Sequence, residues 1–210
     1  MAIIVPTITA QEPHAFRAQI ERVQNFALRI HIDFMDGTFT PNKSIPLNQM
    51  FKPVDSNVDL HLMTIEPYKY LQEIIELNPN LVIIPTESKD SIQEFVKEVN
   101  DSGIKCGVSI MPGVEVDSIS QFLDIVQHVT IFSGNLGYQG GSVADLSLLN
   151  KVEEILRCNP AIEIGWDGGI NDANTAQIAQ RGVDVLNVGG YIQSAPDAGV
   201  AYNTLDALLP

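Results

Sequence analysis

The sequence predicts a (β/α)8 barrel, and three observations carry that reading. Eight short apolar segments alternate with about as many amphipathic ones along the 210 residues. Such alternation implies a parallel sheet, and eight units favour closure over an open doubly wound sheet. No linker or low-complexity stretch interrupts the series, so one domain over 1–210 is expected. The polar and glycine-rich motifs all fall where apolar segments end, the edge at which such a barrel carries its chemistry.

The first strand covers 3–7. Glu12-Pro13 opens a helix, since a proline in the first turn forfeits no hydrogen bond. Phe16, Ile20, Val23 and Phe26 follow at helical spacing. A second strand spans 27–33, and Asp36-Gly37 turns the chain after it. A polar loop with Pro41-Asn42 leads to a short helix around 47–51. The third strand, 58–63, ends a DLHLM run. Thr64 is placed to cap the next helix, with Glu66 and Pro67 in its first turn. Segment 81–84 is unbroken Leu-Val-Ile-Ile, as in a strand buried on both faces. Ser91 and Glu94 match a capping box for a helix reaching about residue 100. Strands follow at 105–110, 129–133, 162–166 and 183–188, with helices at 116–125, 144–158 and 171–180 and a last one near 209. Asn171 or Asp172 caps the helix over 171–180, and Gly182 is placed to end it.

Charge narrows the function. Lys plus Arg number 12 against 26 Asp plus Glu, a net charge of -14. So acidic a chain argues against nucleic acid or an anionic membrane as partner. A phosphorylated small molecule stays open, because backbone amides at helix N-termini hold phosphate without basic side chains. The cysteines, Cys106 and Cys158, do not suggest a disulfide framework, and no apolar run approaches membrane-spanning length. The expectation is a cytoplasmic protein that self-associates, as barrel enzymes commonly do.

His31 and Asp33 sit at i and i+2 of the second strand and share one face. A buried imidazole and carboxylate need either each other or a shared cation. His61 and Asp167 end the third and seventh strands. Together the four form a nitrogen–oxygen set suited to one divalent metal ion, whether zinc, iron(II) or manganese. Met35 and Met63 end adjacent strands and line the same place, as simple fillers or as a dry wall. A second constellation is glycine-rich. Four glycines lie within 134–142, among them Gly137, Gly140 and Gly141. Gly168-Gly169 and Gly189-Gly190 follow the seventh and eighth strands. Barrels often place phosphate at the loops after their last strands. No Lys or Arg occurs at 129–150, 161–180 or 182–210. A phosphate there is held by backbone amides, unless the glycines only serve tight turns.

At this point the chain resembles the ribulose-phosphate 3-epimerase family over nearly its whole length. The matching pieces are HIDFMDG at 31–37 with Pro41-Asn42, DLHLM at 59–63, DGGI at 167–170, the loop at 137–141 and VGG at 188–190. The resemblance implies a TIM barrel of the ribulose-phosphate-binding type, with a metal held by His31, Asp33, His61 and Asp167. It implies a sugar phosphate as substrate and Asp33 and Asp167 as the catalytic acid–base pair. The implied reaction is epimerisation at C3 through an enediolate, most simply of D-ribulose 5-phosphate to D-xylulose 5-phosphate. A hexulose 6-phosphate 3-epimerase and a non-catalytic sugar-phosphate-binding relative are the alternatives. The shell around the metal set departs from the family. The family's Pro-Ser-Ile-Leu-Ser run reads Pro6-Thr7-Ile8-Thr9-Ala10. Pro85, Met111, Phe132 and Gly190 stand where histidine, asparagine, methionine and serine are usual. Asp36 is assigned to the turn and not to the metal.

Overall fold

A computed structural model describes residues 2–210. Every apolar segment becomes a strand. They are β1 (Ile3–Ile8), β2 (Arg29–Met35), β3 (Asn57–Met63), β4 (Leu81–Pro85), β5 (Lys105–Ile110), β6 (His128–Phe132), β7 (Glu163–Asp167) and β8 (Val185–Val188). All pair in parallel with their sequence neighbours, and β8 returns to β1 through Ile3 to Pro6, closing the barrel. The helices are α1 (Pro13–Val23), α2 (Leu71–Leu77), α3 (Ile92–Asp101), α4 (Val116–Ile119), α5 (Asn150–Cys158), α6 (Thr175–Gln180), α7 (Gly190–Gln193) and α8 (Ala198–Asp206). Among the described residues, no helix is long and apolar enough to cross a membrane.

Period-two alternation sorts each strand's side chains into two environments. On β2, Ile30, Ile32 and Phe34 belong to the main apolar cluster, with Leu60 and Leu62 of β3 and Ile164 and Trp166 of β7. The helices supply the other half of that layer. On α3, Ile92, Phe95, Val96 and Val99 are all buried, and Ser91 caps it by accepting from the Glu94 amide at 3.3 Å. Each such side chain contributes roughly 1.5–3 kcal/mol. The alternate residues face the lumen. Arg29 and His31 of β2 reach Glu163 and Asp167 of β7, a strand far from β2 around the ring. Register keeps Asp33 beside His61 and Met35 beside Met63.

The expected elements shift in several places. The helices expected at 116–125, 144–158 and 171–180 shorten to α4, α5 and α6, and α6 starts after Asn174, so neither Asn171 nor Asp172 caps it. β2 begins two residues later than expected and runs on to Met35, so His31 and Asp33 lie within the strand and not at its tip. The helix expected at 47–51 is one 3-10 turn, Leu47–Gln49. Prolines at 46 and 53 bracket it and leave no room for a regular helix. Thr64 does not cap α2. Its hydroxyl donates to Asp36 at 2.7 Å, and a 3-10 turn (Pro67–Tyr70) precedes α2, with the Tyr68 amide donating to Asp90. The Asp36 assignment holds, because its carboxylate also accepts from the Thr38 and Phe39 amides at 2.7 and 3.0 Å.

The barrel's N-terminal mouth holds an ion network. Arg29 donates to Asp59 at 2.7 Å and, through both terminal nitrogens, to Glu163 at 2.8 Å. His128 Nδ1 lies 2.7 Å from the same Glu163 carboxylate. Burial opposes ionisation of Glu163, but Arg29 and His128 outweigh it and hold the carboxyl well below its usual range.

Candidate metal centre

Strands β2, β3 and β7 bring His31, Asp33, His61 and Asp167 to one place, and one ligand atom from each lies within 4.8 Å of the others. His31 Nε2 is 3.3 Å from Asp33 Oδ1 and 3.8 Å from Asp167 Oδ2. His61 Nδ1 is 3.4 Å from Asp33 Oδ1 and 3.5 Å from Asp167 Oδ2. None of the four is more than 8 % exposed.

These contacts are close, yet His31 Nδ1 and Nε2, His61 Nδ1 and Asp33 Oδ1 all lack a hydrogen-bond partner. Buried polar atoms left unpaired are costly and rare in native proteins. Two imidazole nitrogens and two carboxylates converging without mutual hydrogen bonds fit a divalent cation of the zinc, iron(II) or manganese type. The electrostatics agree. Burial disfavours charge on His61, but Asp167 and Asp33 outweigh it and push its pKa up to about 9. Burial likewise opposes ionisation of Asp33, and the two imidazoles overcome it and hold the carboxyl well below its usual range. A centre that draws a proton onto a buried imidazole draws a cation by the same field.

A cavity of about 340 Å³ opens at this set, lined by Asp33 and Asp167 but not by His31 or His61. Met63 lines it beside Phe132, whereas Met35 is wholly buried and does not. All seven singled-out glycines, Gly137, Gly140, Gly141, Gly168, Gly169, Gly189 and Gly190, line the rim. Part of their reason is steric. Gly168 and Gly169 have φ of 114° and 72°, and a Cβ on them would lie 2.2 Å from Gly134 N and 2.1 Å from Ala144 N. The loops after β6 and β7 therefore touch backbone to backbone, which only glycine permits. Gly141 has open space around its Cβ direction, so crowding does not account for it.

Several residues that build this site have no obvious signal in the sequence. Thr9 Oγ1 donates to Asp33 Oδ2 at 2.6 Å, and Gln19 of α1 holds the Thr9 backbone by two 3.0 Å bonds. Asn42 donates to the Gly137 carbonyl at 2.8 Å, which gives Pro41-Asn42 its purpose. Gln139 donates to the Thr7 carbonyl at 3.1 Å and ties the glycine loop to β1. Asn187 of β8 stands in register with Asp167 and lines the cavity. Of the departures from the family pattern, Phe132 and Gly190 line the cavity, while Ala10, Pro85 and Met111 do not.

Comparison with known proteins points the same way as the geometry. The model of the ribulose-phosphate 3 epimerase family matches residues 3–193. The ribulose-phosphate 3-epimerase of Aquifex aeolicus is 29% identical, with 100% of this chain and 97% of the relative covered. That of Helicobacter pylori strain J99 is 30% identical over 96% of this chain and 95% of the relative. Among solved structures, a 3-hexulose-6-phosphate synthase superposes with a TM-score of 0.75 at 18% identity, covering 99% of this chain and all of that one. At that identity the superposition speaks for the fold alone.

Proposed function

The chain belongs to the ribulose-phosphate 3-epimerase family, and from that premise we propose that it interconverts D-ribulose 5-phosphate and D-xylulose 5-phosphate by epimerisation at C3. The observation that carries the reading is the buried set of His31, Asp33, His61 and Asp167 facing a glycine-rimmed cavity.

The reaction takes a proton from C3, beside the C2 ketone, and returns one to the opposite face. Two carboxylates are therefore required on the two faces of the carbon, one ionised while the other is protonated. Asp33 and Asp167 supply them, from β2 and β7, which lie three strands apart around the barrel. The Thr9 hydroxyl donates to Asp33 and favours its ionised form, so Asp33 is the base in the resting enzyme. Asp167 then delivers the proton from the other face, and the roles exchange in the reverse direction. A divalent cation on the four residues supplies polarisation of the ketone and offsets the charge that develops on the enediolate. Met63 and Phe132 keep bulk water from the carbanionic carbon. The phosphate lies against the amides of the loops bearing Gly137, Gly140, Gly141, Gly168, Gly169, Gly189 and Gly190, without a basic side chain.

Exchange of the C3 proton with deuterated solvent, measured in metal-replete protein, tests this. Asp33→Asn and Asp167→Asn are each expected to lower the exchange rate by about a thousandfold or more. Wild-type exchange in either variant refutes the assigned roles. A higher kcat/KM for a hexulose 6-phosphate than for ribulose 5-phosphate would move the substrate to the longer sugar and leave the chemistry in place.

A further inference from the structure

Asn187 is an amide where an apolar residue would cost nothing. It sits between Leu186 and Val188 on β8, is 2 % exposed, and has no hydrogen bond at either Nδ2 or Oδ1. The side chain offers two N–H donors and a carbonyl acceptor. Leaving both ends desolvated and unpaired is penalised, so something must meet them when the protein works. The register fixes where that something lies. Asp167 and Asn187 are paired across β7 and β8 and therefore point to the same side, into the cavity. Two residues farther along, the chain reaches Gly189 and Gly190 on the rim. A ligand stretching from the acid–base group Asp167 to the glycine rim passes over the Asn187 amide.

We infer that Asn187 is a specificity-determining residue that reads the hydroxyl between the reacting carbon and the phosphate, the C4 hydroxyl of a ketopentose phosphate. This rests on the epimerase reading given above. The chemistry selects a hydroxyl over the ligand's other groups. A hydroxyl donates and accepts at once, so it can satisfy Oδ1 and Nδ2 together. A phosphate or carboxylate oxygen accepts only, and would leave Oδ1 orphaned.

Titration calorimetry on zinc-reconstituted protein, with ribulose 5-phosphate and its 4-deoxy analogue, tests the assignment, and C3 proton exchange is followed for each sugar in parallel. Wild type is expected to bind the parent sugar about ten- to a hundredfold more tightly than the deoxy analogue. Asn187→Leu keeps the shape and removes the hydrogen bonds. It is expected to bind the two sugars about equally, with the loss falling on the parent, while zinc content is unchanged and Tm is not lowered. Equal binding by wild type, or a preference that survives in the variant, overturns the assignment and leaves the amide to an internal water. Should the variant not fold, equal binding by wild type still overturns the assignment. Preference in binding without C3 exchange sinks the epimerase reading and spares the hydroxyl reading. Exchange without preference does the reverse, and failure to bind either sugar overturns both.

Discussion

The Thr9 hydroxyl is a small group with a large lever, because it holds the carboxylate that lies nearer to both imidazoles, at 3.3 and 3.4 Å. Partners that orient a metal-ligating carboxylate are commonly worth ten- to a hundredfold in metal affinity or activity. Thr9→Val keeps the shape and deletes the donor. It should weaken zinc binding by about tenfold and lower kcat more than it raises KM, while Thr9→Ser restores both. Competition with a chromophoric chelator reads the first effect and steady-state kinetics the second. Nothing local in the sequence announces this pair, since the partners are 24 residues apart and meet only through parallel register. Asn187 is hidden for a related reason. One asparagine inside an apolar run looks like noise until its neighbour on the next strand is known to be Asp167. His31, Asp33, His61 and Asp167 were legible because two of them share a strand face and the others end adjoining apolar runs.

At the level of elements, the loops after β6, β7 and β8 behave as one interlocked unit. The two glycines after β7 each touch a neighbouring backbone, and a Cβ on Gly190 would lie 2.6 Å from Gly140 Cα. Gly169→Ala pushes a methyl against the Ala144 backbone at a φ that alanine resists, so the loops must separate. A loss of about 2 kcal/mol or more is expected, together with a sharp rise in KM for the sugar phosphate. Thermal unfolding and initial-rate kinetics check the two, and unchanged values for both would show that the loops have slack. The glycines were visible in the sequence, but not that backbones meet there. The missing helix between β2 and β3 was half visible, as a weak pattern between prolines 46 and 53.

Over the whole molecule, an apolar layer lies between sheet and helices, and the lumen carries a column of polar side chains interspersed with apolar ones such as Val5, Ile83 and Met35. The fold was legible because the outer layer writes itself into every strand as apolar residues. The column was not, because Arg29, Asp59, His128 and Glu163 come from four separate strands and read one at a time as ordinary surface charges. Their network carries a pH dependence whose sign follows from Glu163. Its folded pKa lies below the ordinary value of 4.5, so its contribution is complete above about 4.5 and is lost as pH falls toward the folded value. Urea unfolding of wild type and Glu163→Gln should show a stability gap that is constant near neutrality and narrows steadily below about pH 4.5. A gap that widens on acidification would reverse the assignment. The separation of column from outer layer has a consequence for descent. The residues that do chemistry and those that hold the barrel shut are largely different sets, alternating along the same strands. An inward substitution can therefore alter what is bound without repacking the exterior. Such a lineage can exchange substrates by small steps, each starting from an already folded ancestor.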